Sequence, residues 1–166
     1  TMLTKVPEEL TDYRQAAFCA LGGIALEGIH QAEVVPGETV AVIGMGLVGQ
    51  IVCRILNAYG CDVIGYDVVD KTMPGTRLKA FINSGDDNAA DMTKALTRGR
   101  GVDKVIITAA TNSNAPMDLA AAIARDRGII CMIGVTQMNI DRRPYYEREL
   151  SFRIARSYGA GRYDST

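Results

Sequence analysis

Residues 44 to 49 read Gly44-Met45-Gly46-Leu47-Val48-Gly49, a G-x-G-x-x-G string. Glycines are common in turns, so the string gains meaning only from its place. It follows the apolar run Thr39–Ile43 directly. It also opens a stretch in which Val48, Ile51, Val52, Ile55, Leu56 and Tyr59 recur at helical spacing, until Gly60 supplies a stop. At a strand-to-helix turn each glycine has a task. Gly44 permits a sharp exit from the strand, and Gly46, having no Cβ, lets the backbone approach a pyrophosphate. Gly49 lets the helix close on the strand. The N–H groups of Leu47 and Val48, with the positive end of the helix dipole, would face the phosphates. Asp67 ends the next apolar run, 23 positions after Gly44. A carboxylate there accepts from both hydroxyls of an adenosine ribose and repels a 2′-phosphate. Alone it would be a solvated strand-end acid. With the glycine loop it predicts a dinucleotide site that takes NAD in preference to NADP.

Other residues with chemical potential carry less. His30, the single histidine, lies on the N-terminal helical stripe, remote from the loop, and reads as a surface or core-edge residue. Lys71 either reaches the adenosine ribose or is simply solvated. Arg142, Arg143, Tyr145 and Tyr146 fall in a segment, 137–146, that reads as a loop. A structural role is preferred for them over an interface or the cofactor mouth. The four cysteines, Cys19, Cys53, Cys61 and Cys131, show no CxxC pairing. They read as reduced, structural thiols in a cytoplasmic protein. No catalytic residue and no metal ligand is assigned within the chain.

The elements that must position the loop and the acid follow from hydrophobic patterning. Apolar runs at Thr39–Ile43, Asp62–Tyr66, Val102–Ala109 and Gly128–Ile133 read as strands buried on both faces, with an alternating fifth at Leu150–Ala155. Between them lie the helix after the glycine loop, a second marked by Ala89, Met92 and Leu96, and a third from Pro116 to Arg127. Asp67–Asn83 should hold a helix and the third strand, although Pro74-Gly75 interrupts any long helix. Phe18, Leu21, Ala25, Gly28 and Ala32 form an N-terminal helical stripe that ends at Pro36-Gly37. This alternation predicts an α/β fold, a doubly wound parallel sheet of about six strands in a single domain of Rossmann type.

Composition excludes several classes. Lys and Arg total 18 against 19 acidic residues, a net charge of −1, so nothing favours nucleic acid or an anionic membrane surface as partner. No apolar run approaches the roughly 20 residues that span a bilayer. The opening TMLTKVPEEL lacks the apolar stretch of a secretory signal.

The sequence resembles the medium-chain, zinc-type alcohol dehydrogenase superfamily along essentially its whole length. The markers are VPGETVAVIGMGLVGQ (Val35–Gln50), GRGVD (Gly99–Asp103) leading into a strand, and DRGIICMIGV (Asp126–Val135). More narrowly, AAFCALGGIALEGI and RRPYYERELSFRIARSYGAGRYD resemble bacterial two-module oxidoreductases. The resemblance implies a coenzyme domain in which Gly44, Gly46, Gly49 and Asp67 hold the pyrophosphate and adenosine ribose, with Lys71 fitting only loosely as a second ribose contact. It implies that Thr108, Ala109 and Ala110 border the cofactor, and that Ile133, Gly134 and Val135 present backbone groups to the nicotinamide amide. It places Cys19 near a zinc-ligand position of the family, but its usual Cys and His-Glu partners are missing, so packing is the preferred role. Zinc is left to the full-length protein.

The expected organisation is therefore residues 1–36 as a helix leading to a catalytic domain of the same parent chain, and 37–166 as the dinucleotide-binding domain. The expected function is NAD binding for hydride transfer to or from an alcohol, polyol or sugar, with the isolated domain inactive and a homodimer allowed. The rival readings are a stand-alone nucleotide-sensing module and an S-adenosylmethionine methyltransferase. The helical N-terminal segment and a C-terminal strand running to Arg162-Tyr163-Asp164 argue against the first. The loop spacing ending in Gly49 argues against the second.

Overall fold

Runs of β-branched and aliphatic residues with no polar break can only be satisfied by a strand covered on both faces. The computed structural model, which describes residues 5–162, builds such a sheet. Its strands are β1 (Thr39–Ile43), β2 (Asp62–Asp67), β3 (Ala80–Asn83), β4 (Val102–Ile107), β5 (Ala124–Met132) and β6 (Ser151–Ile154). They lie in the order β3-β2-β1-β4-β5-β6, every neighbouring pair parallel. The order reverses between β1 and β4, where an open parallel sheet leaves a crevice at its carboxyl ends.

Successive side chains alternate between two apolar layers. On one face Ala41, Ile43, Ile64, Tyr66, Val105, Ile107, Ile130 and Met132 pack under α4 (Ala89–Leu96) and α5 (Ala115–Ile123). On the other, Val40, Val42, Val63, Ile106 and Cys131 pack under α2 (Cys19–Gln31) and α3 (Leu47–Ala58). The N-terminal stripe is thus part of this core, since Ala25, Gly28 and Ile29 of α2 are buried. A short α1 (Tyr13–Ala16) precedes it. Among the described residues, no helix is long and apolar enough to cross a membrane.

Four expectations need correction. The segment between β2 and β3 forms no helix; it is turn and irregular chain held from outside, as shown below. The third predicted helix stops at Ile123 rather than Arg127, because Ala124 is already extended (φ −64°, ψ 145°) and enters β5. Residues 142–146, part of the segment read as loop, belong to the helix α6 (Arg142–Arg148). Its reasons are local. Asp141 caps it by accepting from Arg143 N at 3.0 Å, Arg143 pairs with Glu147 one turn on at 2.9 Å, and the Arg142 guanidinium lies 4.4 Å from the Tyr146 ring centre. Tyr145 packs beside the core, and Arg148 donates to the carbonyls of Ala121, in the last turn of α5, and Ala124, just past it. Last, β6 ends at Ile154, and a 3-10 turn (Ala160–Arg162) follows; Tyr163 and Asp164 lie outside the described residues.

Candidate functional site

At the carboxyl end of β1 the chain turns at Gly44 with φ +104°, a conformation that only glycine adopts without strain. A Cβ there would also sit 2.6 Å from Ala109 N. Gly49 is required for a different reason: its Cβ would overlap Gly44 O and approach Thr108 Oγ1 at 2.9 Å. Gly46 has neither problem. Its φ is −73°, and a Cβ would meet nothing within 4 Å. That emptiness is space above the loop which a side chain would fill. Gly46 is the N-cap of α3 and offers no side-chain cap, so the N–H groups of Leu47, Val48 and Gly49 keep no intrahelical partner. Such a turn can receive a pyrophosphate.

Asp67 stands beside it. Its Oδ2 accepts from Met45 N at 2.8 Å, while Oδ1 accepts from Val68 N at 2.8 Å and from Lys71 Nζ at 3.1 Å. Partial burial works against the charged form. The Met45 N–H and the Lys71 ammonium outweigh it and hold the carboxyl below its usual range. Asp67 is therefore an anion at neutral pH, in a fixed orientation at the mouth of the crevice.

A cleft of about 590 Å³ joins these groups. Its lining includes Gly44, Gly46, Asp67, Lys71, Thr108, Ala109 and Ala110 of the residues expected from sequence. Leu47, Val48 and Gly49 contribute the start of α3 rather than lining. Thr108 also ties the end of β4 to the loop, its hydroxyl donating to Gly44 O at 2.6 Å. Ile133, Gly134 and Val135 do not line the cleft; they lie beside it, Val135 bridged to Ala110 with its side chain exposed. Their N–H groups are committed, Ile133 and Gly134 to Ile107 O and Val135 to Ala109 O, so only carbonyls can face a ligand there, and that of Val135 already accepts from Thr111 N at 2.8 Å. The Ile133 side chain turns away, to where Gly28 of α2 leaves room for it.

Sequence reasoning missed Ser84 and Gly85 after β3, Thr111 and Ser113 between β4 and α5, and Leu119 on α5, all of which line the cleft. It also missed Met45, which is buried in the core beneath Gly65. The signal for Met45 was a glycine inside a buried strand, which marks a close approach. Of the remaining candidates, His30 is exposed on α2, and Cys19 is exposed rather than packed. Among the described residues no three His, Cys, Asp or Glu side chains gather as metal ligands. These residues therefore do not fit a zinc centre, and no chemistry here is routed through one.

The comparisons with known proteins agree with this geometry. A family profile described as "Zinc-binding dehydrogenase" matches residues 48–165, well over half of the chain. The "Probable D-xylulose reductase A" of Emericella nidulans is 27% identical over 169 residues, covering 96% of this chain and 46% of that protein. The sorbitol dehydrogenase of Bacillus subtilis is 28% identical over 142 residues, covering 81% and 38% respectively. Among solved structures, the apo form of zinc dependent alcohol dehydrogenase 2 from Streptococcus pneumonia superposes with a TM-score of 0.78 at 26% identity, over 93% of this chain and 46% of that one. The chain thus spans less than half the length of these relatives. It belongs to the zinc-binding dehydrogenase family, the medium-chain, zinc-type alcohol dehydrogenases that its sequence resembles.

Proposed function

We propose that this chain is the coenzyme-binding part of an NAD-dependent dehydrogenase acting on an alcohol, polyol or sugar substrate. The observation that carries the reading is the pairing of an open Gly46 with an oriented Asp67 carboxylate across one cleft. The names of the two curated relatives, a xylulose reductase and a sorbitol dehydrogenase, support the substrate class.

In this reading the pyrophosphate rests over Gly46 against the N–H groups that open α3, and Asp67 accepts from the adenosine ribose with Lys71 beside it. Thr108, Ala109 and Ala110 form the wall along which the nicotinamide end lies. Carbonyls of Ile133, Gly134 and Val135 stand near that end for its amide. NAD supplies the hydride chemistry when bound, and the chain orients it. Residues 37–166 form the dinucleotide-binding unit, and residues 1–36 lead toward a catalytic domain of the parent protein. The substrate's proton and charge must be handled there, for the chain's one histidine is exposed on α2 and lines no part of the cleft. The cysteines are free and three of them are buried, which supports a reducing, cytoplasmic setting.

Calorimetry with both cofactors tests the reading. NAD should bind at least about tenfold more tightly than NADP, a difference of about 1.4 kcal/mol. Equal affinity, or tighter NADP, overturns the role given to Asp67. An absorbance scan for NADH with a panel of polyols should show no turnover by this chain alone; turnover would place catalysis on residues given no role here.

A further inference from the structure

Helix α3 carries a polar stripe opposite its apolar one. Gln50, Arg54 and Asn57, at i, i+4 and i+7, all reach the irregular segment that follows Asp67. Arg54 Nη2 donates to Pro74 O at 2.7 Å, and Asn57 exchanges two hydrogen bonds with the backbone of Arg77 at 2.9 and 3.0 Å. Those two contacts are partly exposed and hold only the far part of the segment.

Gln50 is different. It is 3% exposed and sits one residue past the glycine loop. Its Nε2 donates to Met45 O at 3.2 Å and to Lys71 O at 3.0 Å, and its Oε1 accepts from Met73 N at 3.3 Å and Thr76 Oγ1 at 3.0 Å. A side-chain amide has two N–H donors and two lone pairs, and all four are used. The orientation of the amide is unambiguous, because two partners are carbonyls and one is a backbone N–H. Two of the four partners belong to the site. Met45 donates its N–H to Asp67 Oδ2, and Lys71 places its ammonium on Asp67 Oδ1. The carboxylate is thus held from two sides by residues whose carbonyls are bound to the same buried amide.

We infer that Gln50 is a positioning residue for the adenosine end of the cleft, fixing the segment 71–76 against the glycine loop so that Lys71 stays on Asp67. A plain loop anchor would steady the fold without reaching the carboxylate. Gln50 reaches it by way of Lys71, the one charged side chain in contact with Asp67 among the described residues. The contact is made between residues of the chain itself; only its consequence for cofactor affinity rests on the NAD reading.

The test is a double-mutant cycle of Gln50→Met and Lys71→Met in this chain, read by an NMR titration of the Asp67 carboxyl without ligand. Methionine keeps the length and the approximate volume of glutamine but cannot make its hydrogen bonds. Each single substitution should move the Asp67 titration upward, toward the ordinary value of about 3.9. The double variant should go no further than Lys71→Met alone. An unmoved Asp67 in Gln50→Met, or a full additional shift in the double variant, overturns the inference. Calorimetry should show NAD binding about tenfold weaker in Gln50→Met, about 1.4 kcal/mol. If the wild-type chain binds no NAD while the titrations behave as described, the cofactor reading fails and the positioning role stands. Should Gln50→Met not fold, Gln50→Asn decides, its shorter amide being unable to span the carbonyls of Met45 and Lys71: an upward shift of the Asp67 titration supports the inference, and an unmoved Asp67 overturns it.

Discussion

The two ends of this sheet are built from the same strands and carry unequal charge: several ion pairs at the amino end, a single pair of Asp67 with Lys71 at the cleft. At the amino end, charges close on one another. Asp103 at the start of β4 accepts from Thr39 N at 2.8 Å and Arg125 Nε at 2.6 Å, with Arg100 Nη2 at 3.2 Å. Lys104 lies 3.7 Å from Glu38 with both side chains largely buried, and Lys79 lies 2.6 Å from Asp62. At the carboxyl end only Asp67 and Lys71 are charged among the cleft-lining residues, and the rest of the wall is glycine, alanine, small hydroxyls and a few apolar side chains. The amino end holds β1, β4 and β5 together by satisfied ion pairs. The carboxyl end keeps backbone N–H groups beside open space, which the proposed NAD reading fills with a ligand that brings its own charge. In that reading, stability and binding are separated between the two ends of the sheet.

The sharpest way to break that separation is inside the glycine loop, where neighbouring glycines have unlike roles. Gly49→Ala should cost about 3 kcal/mol of stability, read as a lower urea midpoint, because the new Cβ overlaps Gly44 O. Gly46→Val should lower the urea midpoint only slightly, by about 1 kcal/mol or less for the loss of glycine at the N-cap, since its φ suits any residue and its surroundings are empty. It should weaken NAD about 100-fold, or about 2.7 kcal/mol. A Gly46→Val chain that binds NAD normally would remove the phosphate from the loop.

At the closed end, Asp103→Asn should cost about 2 kcal/mol by leaving two guanidinium groups without their carboxylate, while NAD affinity of the folded chain stays the same. The pH dependence has a definite sign. Burial opposes the charge on Asp103, but the Thr39 N–H and the two arginines lower its carboxyl below the ordinary range. Its contribution is therefore complete above about pH 4 and is lost as the pH falls through the lowered folded value. Urea midpoints followed from about pH 7 to about pH 3 should drop less steeply in Asp103→Asn than in the wild type. An equal slope would deny Asp103 its place in the comparison. The smallest effect belongs to the open end: Asp67→Ser should narrow the preference for NAD over NADP by about tenfold, about 1.4 kcal/mol, as judged by calorimetry.

Legibility differed between these regions for physical reasons. The glycine loop was readable because much of its constraint is local: Gly44 answers to its own positive φ and Gly49 to the carbonyl of Gly44 in the same turn. Helix α6 was also local, with Asp141 as its cap and Arg143 and Glu147 one turn apart, but none of its residues is buried, so it left no apolar period to read. The segment after Asp67 was expected to hold a helix because parallel strands usually need one between them. It does without because the polar stripe of α3 satisfies its backbone, a solution visible only once both segments are placed side by side.

By itself, then, the sequence determined the parallel sheet, the loop and the acid, since continuous apolar runs admit few alternatives to a doubly covered strand and the glycine spacing admits few alternatives to this turn. Tertiary structure alone decided that the Met45 N–H holds the Asp67 carboxylate, that Gln50 is buried with its amide bound to Lys71, Met73 and Thr76, and which residues beyond β3 and β4 complete the cleft. Those facts depend on segments 20 or more positions apart in the chain coming within hydrogen-bond distance, and no local pattern of residue types encodes such an approach.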